Sequence, residues 1–131
     1  MNKQIFVSLA VKDLEKSKTF YGALGYTFNP QFTSEHVASI VISEGSIYAM
    51  LATEEFIKTL TAKQIVNARE ATGALISLSC ESREEVDDLV AKAVAAGGKA
   101  LGEPQDHGFM YDHSFEDLDG HGWGLFYMKP Q

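Results

Sequence analysis

The chain has 131 residues, 45% of them hydrophobic and 22% charged, with a formal net charge of −7. That is enough apolar material for one domain with a real core and too much for a disordered or fibrous chain, and the acidic balance without any Lys/Arg cluster argues against a nucleic-acid backbone as partner. No apolar run approaches the roughly 18 residues of a membrane span, the opening Met1 to Ile5 lacks the apolar core of a signal peptide, and the single Cys80 has no internal partner for a disulfide; a reducing cytoplasm is the expected compartment.

In chain order the first elements are clear. Val7, Leu9 and Val11 alternate with Ser8 and Ala10, the period of a strand with two different faces. Asp13 stands where a helix N-cap belongs, and Leu14, Ser17, Phe20, Tyr21 and Leu24 recur at helical spacing until Gly25 supplies the stop. Three apolar runs follow, 26–32, 36–42 and 47–51, separated by polar turn segments around Ser34 and Glu44. The order is βαβββ.

Residues 53–72 are polar, rich in Glu, Lys, Ala and Thr around Phe56, Ile57 and Leu60, and are expected to be a partly helical connector. The second half then repeats the first, so that 6–51 and 75–126 state the same plan twice. Ser8 and Leu9 correspond to Ser77 and Leu78, and Asp13 to Ser82. Ser82 with Glu85 forms a capping box, and Val86, Leu89, Val90, Ala93 and Val94 make an apolar stripe that ends at Gly97 and Gly98. A short strand over 99–101, a longer one over 108–115, a turn at Asp119 and Gly120 and a last strand over 122–128 complete it. The predicted class is α+β: a single domain, 1–131, of two βαβββ modules in tandem, at about 4–52 and about 73–129.

The opening segment with Asp13, Leu14, Ser17, Phe20 and Tyr21, and the closing Asp117, Leu118, Asp119, Gly120 and His121, resemble the two ends of the vicinal oxygen chelate superfamily, which includes glyoxalase I, bleomycin-resistance proteins and extradiol dioxygenases. The resemblance covers nearly the whole chain. It implies a half-open curved sheet with the helices outside and a pocket within, commonly in a homodimer. In the metal-using members of that superfamily four ligands come from the first and last strands of the two modules. Aligned on the helix caps and on the last strands, those places hold Phe6, Leu75, Ala49 and Gly124. A divalent ion wants imidazole, carboxylate or thiolate donors at about 2.0 to 2.3 Å, and none of these side chains offers one. No metal and no other cofactor is therefore expected.

Strand alternation next assigns faces. Val7, Leu9, Val11, Ile76, Leu78, Cys80, Tyr48, Met50, Trp123, Leu125 and Tyr127 are expected toward the helices, and Phe6, Ser8, Ala10, Ala49, Leu51, Leu75, Ser77, Ser79, Gly124 and Phe126 toward the cavity. Such a lining is small, apolar and dotted with hydroxyls, suited to a flat or apolar small molecule stacked on Phe6 and Phe126; the plainer alternative is that small residues simply allow close sheet packing. His107, on the loop that leads into the strand bearing Tyr111, joins the candidate pocket with that tyrosine, because loops entering strands often rim pockets. Asp106, Asp112, His113, Asp117, Asp119 and His121 crowd the same region. Asp117, Asp119 and His121 fit turn-forming roles better than chemistry. Cys80 is expected to be an inert core thiol.

Three functions from different classes follow. The first is a metal-independent, glyoxalase- and bleomycin-resistance-like protein that binds a small apolar or aromatic molecule, works as a homodimer and has no nucleic-acid or membrane partner. The second is a metal-dependent lyase or dioxygenase with unusual ligands such as His107 and His113. The third is a purely structural or partner-binding domain whose cavity has collapsed. No catalytic residue stands out in the sequence.

Overall fold

The structure, a computed structural model, describes residues 3–130; Met1 and Asn2, part of the segment read for a leader, and Gln131 lie outside the described residues. The chain divides into two compact units, Met1–Val66 and Asn67–Gln131. The division falls inside the expected connector. Unit 1 runs β1 (Ile5–Val11), α1 (Leu14–Ala23), β2 (Thr27–Phe28), a 3-10 turn (Pro30–Phe32), β3 (Val37–Ser43), β4 (Ile47–Thr53) and α2 (Glu54–Leu60). Unit 2 runs β5 (Leu75–Ser79), α3 (Arg83–Ala95), β6 (Lys99–Asp106), β7 (Met110–Glu116) and β8 (Gly122–Met128). Each unit holds one open four-stranded sheet, ordered β1-β4-β3-β2 and β5-β8-β7-β6. The tandem βαβββ plan is therefore present, in an α+β chain.

Local chemistry explains the elements. Asp13 accepts the amide of Lys16 at 3.1 Å, and Ser82 accepts the amide of Glu85 at 3.0 Å, so both helices begin where a capping oxygen satisfies an otherwise orphaned N–H. The return bond of the box runs from the Glu81 amide to Glu85 Oε1 at 2.8 Å, one residue earlier than the capping-box pattern places it. The connector's helical part is α2, capped by Thr53.

Two strands differ from expectation. The run over 26–32 pairs only at Thr27 and Phe28; Asn29 then accepts the Gln31 amide and Pro30 brings no N–H to a ladder, so the chain turns into a 3-10 helix. The short strand at 99–101 instead continues to Asp106 across an irregularity between Leu101 and Gln105, where Gly102 takes a φ of +65°. At the Asp119–Gly120 turn a glycine is required twice over. Its φ is +92°, and a Cβ there would stand 2.9 Å from the Arg69 backbone nitrogen.

Register fixes the faces. In unit 1, β1 and β4 run parallel with Val7 opposite Ala49, Leu9 opposite Leu51, Phe6 opposite Tyr48 and Ser8 opposite Met50. Paired residues share a face. Leu9, Val11, Ala49 and Leu51 therefore form one surface with Ala38 and Ile40 of β3, buried to 7% exposure or less and matched by buried Leu14, Phe20, Tyr21 and Leu24 of the α1 segment. This corrects the expected lining: Ala49 and Leu51 belong to the helix-covered core, and Tyr48 and Met50 share the opposite face with Phe6 and Ser8. The Phe6 and Tyr48 rings stack at 4.9 Å. In unit 2 the core face carries Tyr111, Phe115, Trp123 and Leu125 under Val86, Val90 and Ala93 of α3. At about 1.5–3 kcal/mol for each large apolar side chain fully buried, these two faces supply most of what holds the helices down.

Cys80 sits at the β5–α3 junction, half-buried, its amide bonded to the Phe126 carbonyl at 2.7 Å. Burial, with Glu85 adding to it, pushes the thiol from 9.0 up to about 11.

Two measurements check these assignments. Leu51→Ala is expected to lower the unfolding free energy in urea by about 2–5 kcal/mol, whereas exposed Ser8→Ala shifts it by less than about 0.5 kcal/mol; equal effects would overturn the face assignment. Iodoacetamide at pH 8 should alkylate native Cys80 roughly a hundredfold more slowly than a thiol titrating at 9.0, since only the thiolate reacts and two pH units separate the groups. An ordinary rate would show that the thiol is not shielded.

Candidate functional site

The open face of unit 2, the side away from α3, is built in rows by strand pairing. One row is Ser77, Gly124, Ser114 and Leu101; the next is Ser79, Phe126, Asp112 and Gln105; on the other side lie Leu75, Gly122, Glu116 and Lys99. Three of the expected pocket residues, Ser77, Gly124 and Phe126, line a hollow of about 350 Å³ with Met110, Asp112 and Ser114. Gly124 brings no side chain into it. A Cβ there would meet Ser77 Oγ at 3.2 Å and Ser114 Oγ at 3.5 Å, so two hydroxyls flank the gap. Leu75 lies on the same face, 75% exposed.

His107 stands at the edge of this face, its Nε2 3.0 Å from Asp112 Oδ2 and its ring 6.3 Å from that of Phe109. Ser114 is thus a site residue that sequence reasoning missed, and Asp112, noted there only among a crowd of acids and histidines, joins it in the pocket wall. The sequence carried a signal for both: they follow Met110 at every second position, the spacing that places them on one face of β7.

Tyr111 requires a correction. As the neighbour of Asp112 in β7 it points to the opposite face, where its hydroxyl donates to Asp87 Oδ1 of α3 at 2.5 Å and its ring lies 4.2 Å below the Arg83 guanidinium. The Asp87 bond, reinforced by burial, pushes the phenol above its ordinary range. Arg83 also pairs with Asp106 at 3.3 Å, and Lys129 reaches Asp106 at 2.7 Å. The Lys129 ammonium, with the Gly108 amide, holds the Asp106 carboxyl below the usual carboxylate range. This cluster clamps α3 to its sheet, and none of its side chains lines the hollow over Gly124.

The remaining polar residues have structural partners. Asp117 is buried and accepts the amides of Asp119 and His121, both at 2.9 Å, as its turn-forming role requires. His113, opposite Leu125 in register, turns its Nε2 to the Gly102 carbonyl at 2.9 Å. His107 and His113 therefore serve opposite faces of β7 and do not combine as a ligand pair.

In unit 1 the face turned away from α1 bears Phe6, Ser8, Tyr48, Met50 and Ser39. Ser39 is fully buried, and its hydroxyl is without a hydrogen-bond partner. A separate hollow of about 550 Å³ lies beside α2, lined by Glu54, Lys58, Thr61, Lys63, Gln64 and Ile65. Its side chains are mostly exposed, and none is a buried polar group that asks for a ligand.

The register also corrects one of the four positions compared with the metal-using relatives. Gly124 pairs with Ser77, two residues after Leu75. The equivalent partner of Ser8, two residues after Phe6, is Met50 and not Ala49. The four positions are Phe6, Met50, Leu75 and Gly124. A lone thioether is a soft ligand for monovalent copper, not a match for a divalent ion that takes imidazole and carboxylate. Among the described residues no three His, Cys, Asp or Glu side chains gather where they could hold a metal. The residues present do not fit the metal that the fold's relatives use.

Comparison with known proteins agrees with this architecture. The model of the Glyoxalase/Bleomycin resistance protein/Dioxygenase superfamily matches residues 3–125. Among solved structures, a hypothetical protein from S. aureus is 31% identical, with 97% of this chain and 94% of that one covered and a TM-score of 0.80. A glyoxalase-related enzyme from Fulvimarina pelagi (21% identity, coverage 97% and 88%, TM-score 0.77) and a genomically encoded fosfomycin resistance protein from Listeria monocytogenes (20%, 98% and 95%, 0.70) share the fold. A search of curated proteins found no match. With nearly its full length matched, the chain belongs to the Glyoxalase/Bleomycin resistance protein/Dioxygenase superfamily.

Proposed function

We propose that this protein binds a small molecule with an apolar or aromatic body without the help of a metal, in the hollow over Gly124. The observation that carries the reading is the glycine itself. At a position where relatives place a ligand to the metal, this chain has no side chain, and the space becomes a cavity of about 350 Å³, within the roughly 300–1,000 Å³ of small-molecule sites. A hollow of that size also weighs against the purely structural alternative. Phe126 and Met110 supply apolar wall, while Ser77, Ser114 and Asp112 supply a few polar groups for orientation. The lone Cys80 and the family resemblance support a homodimer working in a reducing cytoplasm. No helix among the described residues is long and apolar enough to cross a membrane.

Elemental analysis of protein purified without chelators is expected to find only traces of zinc, nickel, manganese and iron; one such ion per chain, retained through dialysis, would overturn metal independence. The pocket itself is tested with 2-phenylethanol, a neutral aromatic probe, whose addition should shift the amide signals of Ser77, Ser114 and Phe126. Gly124→Glu should abolish those shifts and cost about 1–3 kcal/mol of stability at pH 8, because it puts an anion beside Phe126 and Asp112 in a partly desolvated hollow. Gly124→Ala should fold as the parent does, since the nearest atom, Ser77 Oγ at 3.2 Å, can rotate away. Unchanged shifts in Gly124→Glu would place the binding site elsewhere.

A further inference from the structure

Resting on that reading, we propose that the hollow over Gly124 selects amines: its ligand carries a cationic ammonium head on an apolar or aromatic body, with Asp112 as the residue that sets the preference. Three oxygen acceptors face the hollow. Asp112 gives Oδ2 to His107 at 3.0 Å, which leaves Oδ1 for a ligand. Ser77 Oγ and Ser114 Oγ stand on either side of Gly124, and neither hydroxyl is engaged in a hydrogen bond among the described residues.

An ammonium has three N–H donors and no acceptor, so one carboxylate oxygen and two hydroxyls can satisfy it in full. Asp112 and Ser114, two residues apart along β7, are about 7 Å from one another at the backbone, close enough for their side chains to converge on one small head group. The neighbouring row supports the same sign. Lys99 stands opposite Glu116 in register, and these charges offset each other. Asp112 is then the carboxylate left to face the hollow, beside a histidine that donates to it. A carboxylate ligand would meet that anion at close range. Phe126, opposite Asp112, offers a ring to the ligand's body, and an aromatic face near a cation adds attraction of the same sense.

The test uses three probes with one skeleton: 2-phenylethylamine, 2-phenylethanol and 3-phenylpropionate, titrated into the full chain at pH 8 and followed by amide shifts. The amine should bind about tenfold or more tightly than the carboxylate, as hydrogen bonds to charged groups allow. Its affinity should weaken with added salt while that of the alcohol holds. Asp112→Asn should cost the amine about tenfold and leave the alcohol within about threefold. His107→Gln should keep the amine preference, since the carboxylate remains.

Equal or tighter binding of 3-phenylpropionate, or an amine preference that survives in folded Asp112→Asn, overturns amine selection and leaves the binding reading standing. Failure of all three probes to bind sinks both. Were Asp112→Asn to unfold, the salt dependence of the unaltered protein and the His107→Gln comparison decide the matter alone.

Discussion

Everything about this site depends on one constraint: in each unit the first strand of the module pairs in parallel with the last. Parallel neighbours cannot be joined by a tight hairpin and need a long crossover, which here is the helix and two further strands of each module. The same pairing settles which side chains share a face. Once Ser77 lies opposite Gly124, and Gly124 opposite Ser114, two hydroxyls flank a residue that cannot fill the space between them. A one-residue slip would send Ser77 and Gly124 into the α3 core and turn Trp123 and Leu125 out to solvent. The buried α3 face, with Val86 and Ala93 fully enclosed, makes that slip prohibitively costly. Helix packing on one side thus holds the register that shapes the hollow on the other.

How far the sequence reveals this depends on whether its pattern breaks symmetry. The caps at Asp13 and Ser82 are readable because a short polar side chain before an apolar stripe has one good structural use. The faces of β8 are readable because Gly122, Gly124 and Phe126 alternate with Trp123 and Leu125. In β4 the pattern is silent. Residues 47–52 are apolar at every position, so alternation offers no sign of which residues turn inward, and only the partnership with β1 decides that Leu51 rather than Met50 meets α1. Tyr111 misleads for a related reason: an aromatic beside a histidine-bearing loop suggests a pocket, yet its hydroxyl is anchored by Asp87, 24 residues earlier on a helix. Local sequence carries no record of that contact.

The polar second half shows the same sorting of structure from chemistry. Asp106, Asp117 and His113 are all committed, respectively to Lys129 and Arg83, to the amides of its own turn, and to the Gly102 carbonyl. A crowd of acids and histidines in sequence therefore dissolves into separate structural contacts: Asp106 ends β6, Asp117 shapes the turn after β7, and within β7 alternation turns Asp112 and His113 to opposite faces. On the open face, beside the row that holds Glu116 and Lys99, stands the His107–Asp112 pair, half-exposed on both sides.

The two units also carry a controlled comparison within one chain. Unit 1 has the row Ser8, Met50, Ser39 where unit 2 has Ser77, Gly124, Ser114. The flanking serines are the same and only the middle residue differs. A methionine side chain occupies the middle of one row and nothing occupies the other. Methionine is flexible enough to fill an irregular gap, and Ser39 in that row is fully buried with its hydroxyl unmatched. Ser114, in the row with glycine, keeps its hydroxyl at the wall of a hollow. A buried hydroxyl without a partner costs free energy on the order of 1–3 kcal/mol, whereas one facing a cavity can be satisfied by whatever enters. Duplicating the module therefore did not duplicate the site: the choice of Gly124 over a side chain of methionine's size makes unit 2 the half that can receive a ligand.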